Sequence, residues 1–532
     1  MKTTYINLLV CFCILTICVS CDDFLQEEAL DTYTSENFPQ TADDAEALVN
    51  QAYNLAGDLY GSYYYMDICY ATEFANTRWA GPGNYRSQLD EYVVNNTNTS
   101  LSDTWQRAYQ TIRQANVVIE ATANVDSSNP DSEVFSRINA EAKALRAYVY
   151  YDLMIIFGEV PLILNRLQSL EDAANALVPI SDIYDAVIQD LTEAEPILPH
   201  EFPSNDLGRI TRGAVRALLG NVYLQRAMDP AEVSQADDID NAVNWLRQVV
   251  NAADGGKVYT LEPDFENLFG LQTVNDRKYS NEVIFQFWRD VNPCCRLAFY
   301  SNPNPQDTPF GSGWGHMVAE VPFYLSFENE DERLQVSFFD TLETEDKGTV
   351  MFDHERPWAD NYQHDGPAFQ KWIDPNHDNT GANNNVIIIR YAEVLLNLSE
   401  ALFRQAGAPT QESIDLLNQV RNRSKLGDLN PAPSTFEEME EAIFNELRWE
   451  THFEANGMTD AHRFFDIFKE RVESNALYEQ PPVPEGVVED PGRLNDASPG
   501  VPITVTLDNI RMPIPLIEQD ANPALENPGS GE

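Results

Sequence analysis

Histidine is scarce in these 532 residues, with 7 in all, and no His-x-x-x-His pair occurs. That leaves no histidine spacing for a helix-borne zinc site. Basic side chains are few as well: 34 lysines and arginines stand against 85 aspartates and glutamates, a net charge of −51. Such a surface argues against nucleic acid and anionic membranes as partners. Of 7 cysteines, Cys11, Cys13 and Cys18 fall in the first twenty residues and Cys21 just after, which leaves Cys69, Cys294 and Cys295 for the body of the chain. Adjacent Cys294 and Cys295 are poorly placed to pair with each other, so no disulfide framework emerges. Long apolar runs are also missing. The N-terminal one, Ile6 through Val19, is too short for an ordinary membrane span. It follows Lys2 and precedes a cysteine, the layout of an export leader over residues 1–20. What remains, 43% hydrophobic and 11% aromatic, is the composition of a folded protein large enough for one big core or two or three domains.

The repeating unit is plainest from Val386 to Ser424. Tyr391, Leu395, Leu398 and Leu402 lie on one helical face, and Gly407 ends that helix. Thr410 caps a second helix whose apolar side carries Ile414, Leu417 and Val420. Two such helices read as one helical hairpin. The unit recurs at Ala214–Ala227, which keeps a Leu-Gly-x-x-Tyr-x-x-x-Ala spacing at Leu219, Gly220, Tyr223 and Ala227, with Asn241–Asn251 as partner. Ile138–Gly158 with Ile183–Ala194, and Asp43–Leu59 with Ser102–Ala123, make two more pairs. Any single pair could be two ordinary core helices; recurrence favours a stack, because one hairpin cannot bury its own apolar face. The expected fold is mainly α: four tetratricopeptide-like helical hairpins forming a scaffold, with a loop-rich subdomain containing a few short strands.

Two stretches break the pattern. Gly57–Asn98 mixes Tyr60, Tyr63, Tyr64, Tyr65, Tyr70, Trp79 and Tyr85 with Gly81-Pro82-Gly83, which favours a long ordered loop, and such loops carry function. Asp254–Asn385 has Asn, Pro and Gly clusters and short alternating runs such as Val283–Trp288. Helix returns from Glu437 to Phe468, followed by Pro-rich coil with a strand-like Ile503–Leu507.

Four motifs then carry a specific resemblance. Asn385–Ala401, Leu417–Arg423, Ile443–Glu450 leading to Arg463-Phe-Phe-Asp466, and Pro513-Ile-Pro515 before Asn522-Pro523 and Glu526–Gly529 resemble the SusD/RagB family of lipoproteins. At the other end, Ile17–Cys21 resembles a bacterial lipobox, and the following Asp22-Asp23-Phe24-Leu25 resembles the surface-export signal of Bacteroidetes lipoproteins. His452 and Ala455-Asn456 depart mildly from the family pattern. The resemblance implies one SusD-like domain over 21–532: an N-terminal part to about 254 with the 57–98 insertion, a loop-rich ligand-binding region at about 255–385, and a RagB/SusD part from about 386. It further implies a protein held at the outer membrane by lipid on Cys21, exposed at the cell surface, that captures oligo- or polysaccharide. The partner is a TonB-dependent, SusC-like transporter that receives the glycan. A peptide-binding member of the family and an anchored glycoside hydrolase are the alternatives.

Sugar rings stack C–H faces on aromatic rings while amides and guanidinium groups meet their hydroxyls. The expected platform is Trp79 and Tyr85 from the first insertion with Trp288, Tyr300 and Trp314 from the second, and Arg78, Asn84, Arg86 and Asn302 as polar partners. Glycines around Tyr300 and Trp314 favour those two, whereas Trp288 in an alternating run suits a core position. Arg390, Glu393, Glu400 and Arg421 sit on scaffold helices and read as structural ion pairs rather than catalytic groups. Carboxylate pairs are too abundant to single out a glycosidase dyad. Asp374-x-Asn376-x-Asp378 lacks the glycine and glutamate of a calcium loop, so no metal and no cofactor are expected and the chain is read as a binding protein without catalysis.

Overall fold

The computed structural model describes residues 39–525 except 40, 71, 78–83, 124, 127, 168–174, 205, 271–278, 289–316, 340, 345–347, 352–366, 373, 375–383, 455–456 and 477–502. In chain order the described elements are helices α1 (Ala42–Tyr60) and α2 (Tyr63–Tyr70), strand β1 (Ala75–Thr77), then α3 (Tyr85–Asp90), α4 (Thr99–Thr122), α5 (Ser132–Phe157), α6 (Ile180–Ala194), α7 (Arg212–Met228) and α8 (Asp238–Val250). A mixed region follows, with α9 (Glu266–Phe269), β2 (Val283–Phe287), β3 (Met317–Ala319), α10 (Val321–Ser326), α11 (Glu332–Ser337), β4 (Phe338–Phe339), β5 (Thr341–Thr344), β6 (Gly348–Met351), β7 (Ala368–Phe369) and β8 (Val386–Arg390). The chain returns to helix in α12 (Tyr391–Ala406), α13 (Gln411–Arg423), α14 (Phe436–Thr451), α15 (Gly457–Arg463) and α16 (Phe465–Asn475), with short α17 (Leu507–Ile510) and α18 (Leu516–Ala521) near the end.

The fold is mainly α. α1 packs on α4, α5 on α6, α7 on α8 and α12 on α13, and these pairs are joined to one another through α4 with α5, α6 with α7, and α8 with α12. Local chemistry sets the helix ends. Thr41 with Asp44, and Thr410 with Ser413, form reciprocal caps that satisfy the first free N–H groups. Gly407 adopts φ +69 at the end of α12, which an L side chain rarely tolerates, and the four-residue link to α13 then reverses the chain. At the middle of α7, an added Cβ on Gly220 would come within 2.5 Å of Leu246 Cγ, so only glycine permits the close approach of α8.

The sheets are small. β1, β3, β7 and β4 form one antiparallel sheet in that order, β2 pairs with β8, and β5 with β6. β2 is buried at all five positions rather than alternating, because α1 and α7 pack against it and β8 lies alongside. The expected strand at Ile503–Leu507 is absent: the Val505 N–H donates to the Glu473 carboxylate at 3.0 Å, and Thr506 caps α17. The 57–98 insertion, expected as an ordered loop, contains α2, β1 and α3, and Tyr60 and Tyr65 are core residues in edge-to-face contact at 5.0 Å.

A wholly buried ion network fastens the mixed region to the helices. Arg390 donates to Glu282 and Glu450 at 2.7 Å each and to both oxygens of Glu454 at 2.7 and 2.8 Å. Arg423 pairs with Glu282 and Glu450, Arg333 with Asp331, Glu446 and Glu450, and Lys371 with Glu454. Burial pushes the Glu450 carboxyl up, yet Arg423, Arg390 and Arg333 together outweigh it and hold it well below the usual range. The other scaffold polar groups are equally engaged. Arg421 pairs with Glu328 and Glu446, Glu400 with Arg404 and Arg463, and Glu393 accepts from Asn221. A carboxylate held by two or three guanidinium groups out of water is structural.

Candidate functional site

The chain stops α1 at Gly61, whose N–H returns to the Gly57 carbonyl at 2.9 Å, and restarts it at once as α2. That restart turns consecutive tyrosines outward. The Tyr63 and Tyr64 rings lie 4.1 Å apart, Tyr85 at the start of α3 is 6.1 Å from Tyr64, and all three are half-buried. The Arg86 guanidinium stands 4.7 Å from the Tyr85 ring centre and 5.9 Å from that of Tyr63. Asn84 caps α3 by accepting the Arg86 N–H at 3.0 Å, which fixes both residues at the helix entrance. Asn98, the cap of α4, donates to the Tyr85 carbonyl at 2.7 Å and so ties α3 to the scaffold.

Beneath this surface lies Asp67, which is 0% exposed. It accepts from Arg86 Nε at 3.1 Å and from Ser100 Oγ at 3.0 Å. Burial lifts its carboxyl to about 7, against the opposing pull of Arg86 and the Ser100 hydroxyl. A hydrogen bond with Tyr63 pushes the Tyr64 phenol up to about 12. The Tyr64 ring therefore stays neutral at physiological pH. The assembly is a tyrosine surface with one guanidinium held in place from below.

β1 explains how the second insertion reaches this surface. α3 packs on β1, and β1 pairs antiparallel with β3 in the register Ala75↔Ala319, Asn76↔Val318, Thr77↔Met317. Thr77, the last residue of β1, and Met317, the first of β3, thus lie opposite each other at one end of the ladder. Arg78 and Trp79 follow the first strand immediately, and Trp314 precedes the second by three residues. Arg78, Trp79, Tyr300, Asn302 and Trp314 themselves lie outside the described residues, as do Asn376, Asp378, Cys21, Cys294 and Cys295. Asn84, Tyr85 and Arg86 are together in the cluster.

Trp288 occupies a different neighbourhood. It follows β2, is half-buried, meets Tyr279 edge-to-face at 5.4 Å and lies over Gly208, where an added Cβ would come within 2.7 Å of its own. With His200, Phe202 and Tyr279 it lines a cavity of about 160 Å³. Asp67 and Ser100 escaped the reading of the sequence because a single buried carboxylate has no pattern. The run Tyr63-Tyr64-Tyr65 was visible, but which of its rings point outward was not. Among the described residues no group of His, Cys, Asp and Glu side chains could hold a metal ion, and no helix is long and apolar enough to cross a membrane.

Residues 23–224 match a family model described as starch-binding and associating with the outer membrane, and residues 315–529 match the SusD family model. SusD-like protein P2 of Formosa agariphila is 26% identical over 497 residues, covering 90% of this chain and 93% of its own. Among solved structures, a SusD homologue from Bacteroides thetaiotaomicron superposes with TM-score 0.76 at 21% identity, covering 92% of this chain and 97% of that one. A laminarin-binding SusD-like protein superposes with TM-score 0.69 at 21% identity, covering 92% and 99%. With models matching at both ends, relatives aligned over most of their length and the same fold throughout, the chain belongs to the SusD/RagB family.

Proposed function

We propose that this protein is a cell-surface glycan-binding lipoprotein, anchored in the outer membrane through Cys21, that captures oligo- or polysaccharide without cleaving it and passes it to a TonB-dependent, SusC-like transporter. The observation that supports the binding site is the β1–β3 ladder, which pairs Thr77 with Met317 against α3, the helix that carries Tyr85. Flat, half-buried rings beside a fixed guanidinium suit the C–H faces and hydroxyls of sugars. Trp79, Tyr300, Trp314, Arg78 and Asn302 complete that platform, with Asn84 and Arg86 at its polar rim; Trp288, beside Tyr279 and His200, is not part of it. Laminarin binding by a protein of the same fold supports the ligand class. The scaffold carboxylates are spent on buried arginines, which supports binding without hydrolysis. Tethering beside a transporter raises the effective concentration of captured glycan, so modest affinity suffices.

Affinity electrophoresis of the chain lacking residues 1–21 in gels containing a panel of polysaccharides tests this reading. At least one glycan should retard the protein, Trp314→Ala and Tyr85→Ala should each weaken retention by about tenfold or more, and glycan chain length should stay unchanged on incubation. Retardation by none of the panel, or shortened chains, would overturn it.

A further inference from the structure

A second groove runs along α4, between that helix, the segment after α5 and the C-terminal α18, and encloses about 510 Å³. It is distinct from the tyrosine cluster. Ser100, which touches Asp67, and Arg113, which lines the groove, are thirteen residues apart on one helix, or roughly 20 Å along its axis. Two arginines face this groove, Arg113 exposed and Arg166 half-buried. In a chain with 85 acidic and 34 basic side chains, almost every cation finds a carboxylate. Among the described residues Arg113 and Arg166 are the exceptions: neither makes an ion pair or a side-chain hydrogen bond, whereas Arg212, the other arginine without a carboxylate, donates to the Leu198 and Pro196 carbonyls. Both of the cations left open therefore line one concavity.

The rest of the lining is suited to a sugar. Tyr109 is half-buried, with its hydroxyl fixed on the Pro161 carbonyl at 2.8 Å. Gln110 and Asn165 add amides, and the carboxylate of Glu518 accepts from Gln106 at 3.3 Å and can take a sugar hydroxyl as well. We propose that this groove is a second saccharide site, selective for acidic sugars whose carboxylate or sulfate is gripped by Arg113 and Arg166. Planar guanidinium groups match such oxyanions with paired hydrogen bonds. The overall negative charge does not forbid this, since at physiological ionic strength distant charges are screened beyond about 8 Å. A volume of about 510 Å³ lies within the range of small-molecule sites. The inference rests on the carbohydrate reading above and extends it to the charge of the ligand.

Calorimetric titration of the chain lacking residues 1–21 with tetragalacturonate, a sulfated carrageenan tetrasaccharide and neutral laminaritetraose tests the site. At least one acidic tetrasaccharide should bind, with an affinity that falls as salt rises from about 50 to about 500 mM. The Arg113→Gln, Arg166→Gln double variant should lose on the order of a hundredfold, about tenfold per arginine, with an unchanged melting temperature, while Tyr85→Ala should leave acidic binding intact. Binding of only the uronate or only the sulfated sugar would assign the anion. Acidic binding that survives the double variant, or that disappears in Tyr85→Ala, would overturn the proposal. So would neutral glycans binding while both acidic ones fail. Failure of every glycan in the polysaccharide panel would instead sink the reading on which this one rests.

Discussion

Asp67 shows how much one buried side chain can decide. Its carboxyl lies at about 7 in the folded protein, against 3.8 when solvated. Between those values the folded state holds more proton than the unfolded one, so this group makes stability fall as pH rises from about 4 to 7, at up to about 1.4 kcal/mol per pH unit. Above 7 it is an anion and orients Arg86; below, it becomes a neutral acceptor and Arg86 loses its counter-charge. Asp67→Asn should accordingly leave the melting temperature at pH 8 equal to or above that of the native protein and flatten its rise toward pH 6. It should also weaken glycan retention several-fold at pH 8 by loosening Arg86. Differential scanning calorimetry at pH 6 and 8 with affinity gels at pH 8 checks both. A cost in stability at pH 8 would show that the Arg86 pair outweighs the burial penalty. Nothing in the sequence marked Asp67, since its role depends on Ser100 and Arg86 arriving from other helices.

At the scale of elements, close packing and small strands matter more than charge. The α7–α8 pair depends on Gly220, where Leu246 fills the space a side chain would need. Gly220→Val should destabilise the protein by about 1–3 kcal/mol, as overpacked helix contacts do, read as a lower midpoint in urea unfolding. An unchanged midpoint would mean that Leu246 moves aside freely. This contact was legible as the Leu-Gly-x-x-Tyr-x-x-x-Ala spacing, because the helical period and a conspicuous glycine are both local. Most of the strands were not. β1 and β3 have three residues each and β4 and β7 two, too few to show a period of two, whereas β2 coincides with the short run at Val283–Trp288, although all five of its residues are buried. Likewise α2 and α3 were concealed in aromatic sequence that resembled a loop; the short break at Gly61–Ser62 separates α2 from α1, and Asn84 caps the start of α3.

For the whole molecule, the proposed function requires that a −51 chain without a membrane-spanning helix among its described residues be held at a membrane. Acyl chains on Cys21 would supply the attachment. Cys21→Ser should leave the protein folded, with its glycan retention intact, but shift it from the membrane fraction to the soluble one on cell fractionation. Continued sedimentation with membranes would point to another attachment. Purification of the native protein in mild detergent should bring down a TonB-dependent transporter through a large, lasting interface, and recovery of the protein alone would remove the hand-over step from the proposed function.

The sequence alone determined what local rules can encode: four amphipathic helix pairs from their period, helix ends from Thr410 and Gly407, and the family from ordered motifs after Asn385. Tertiary structure decided everything that depends on which distant segments meet. It put Thr77 beside Met317, so that two insertions share one edge, and set Tyr63, Tyr64 and Tyr85 around Arg86 while sending Tyr60 and Tyr65 into the core. It also gathered Glu282, Arg390, Arg423 and Glu450 out of water and left Arg113 and Arg166 open along α4. The reason is physical: a helix reports its buried face every three or four residues, but pairing of charges and stacking of rings depend on distances that no stretch of sequence contains.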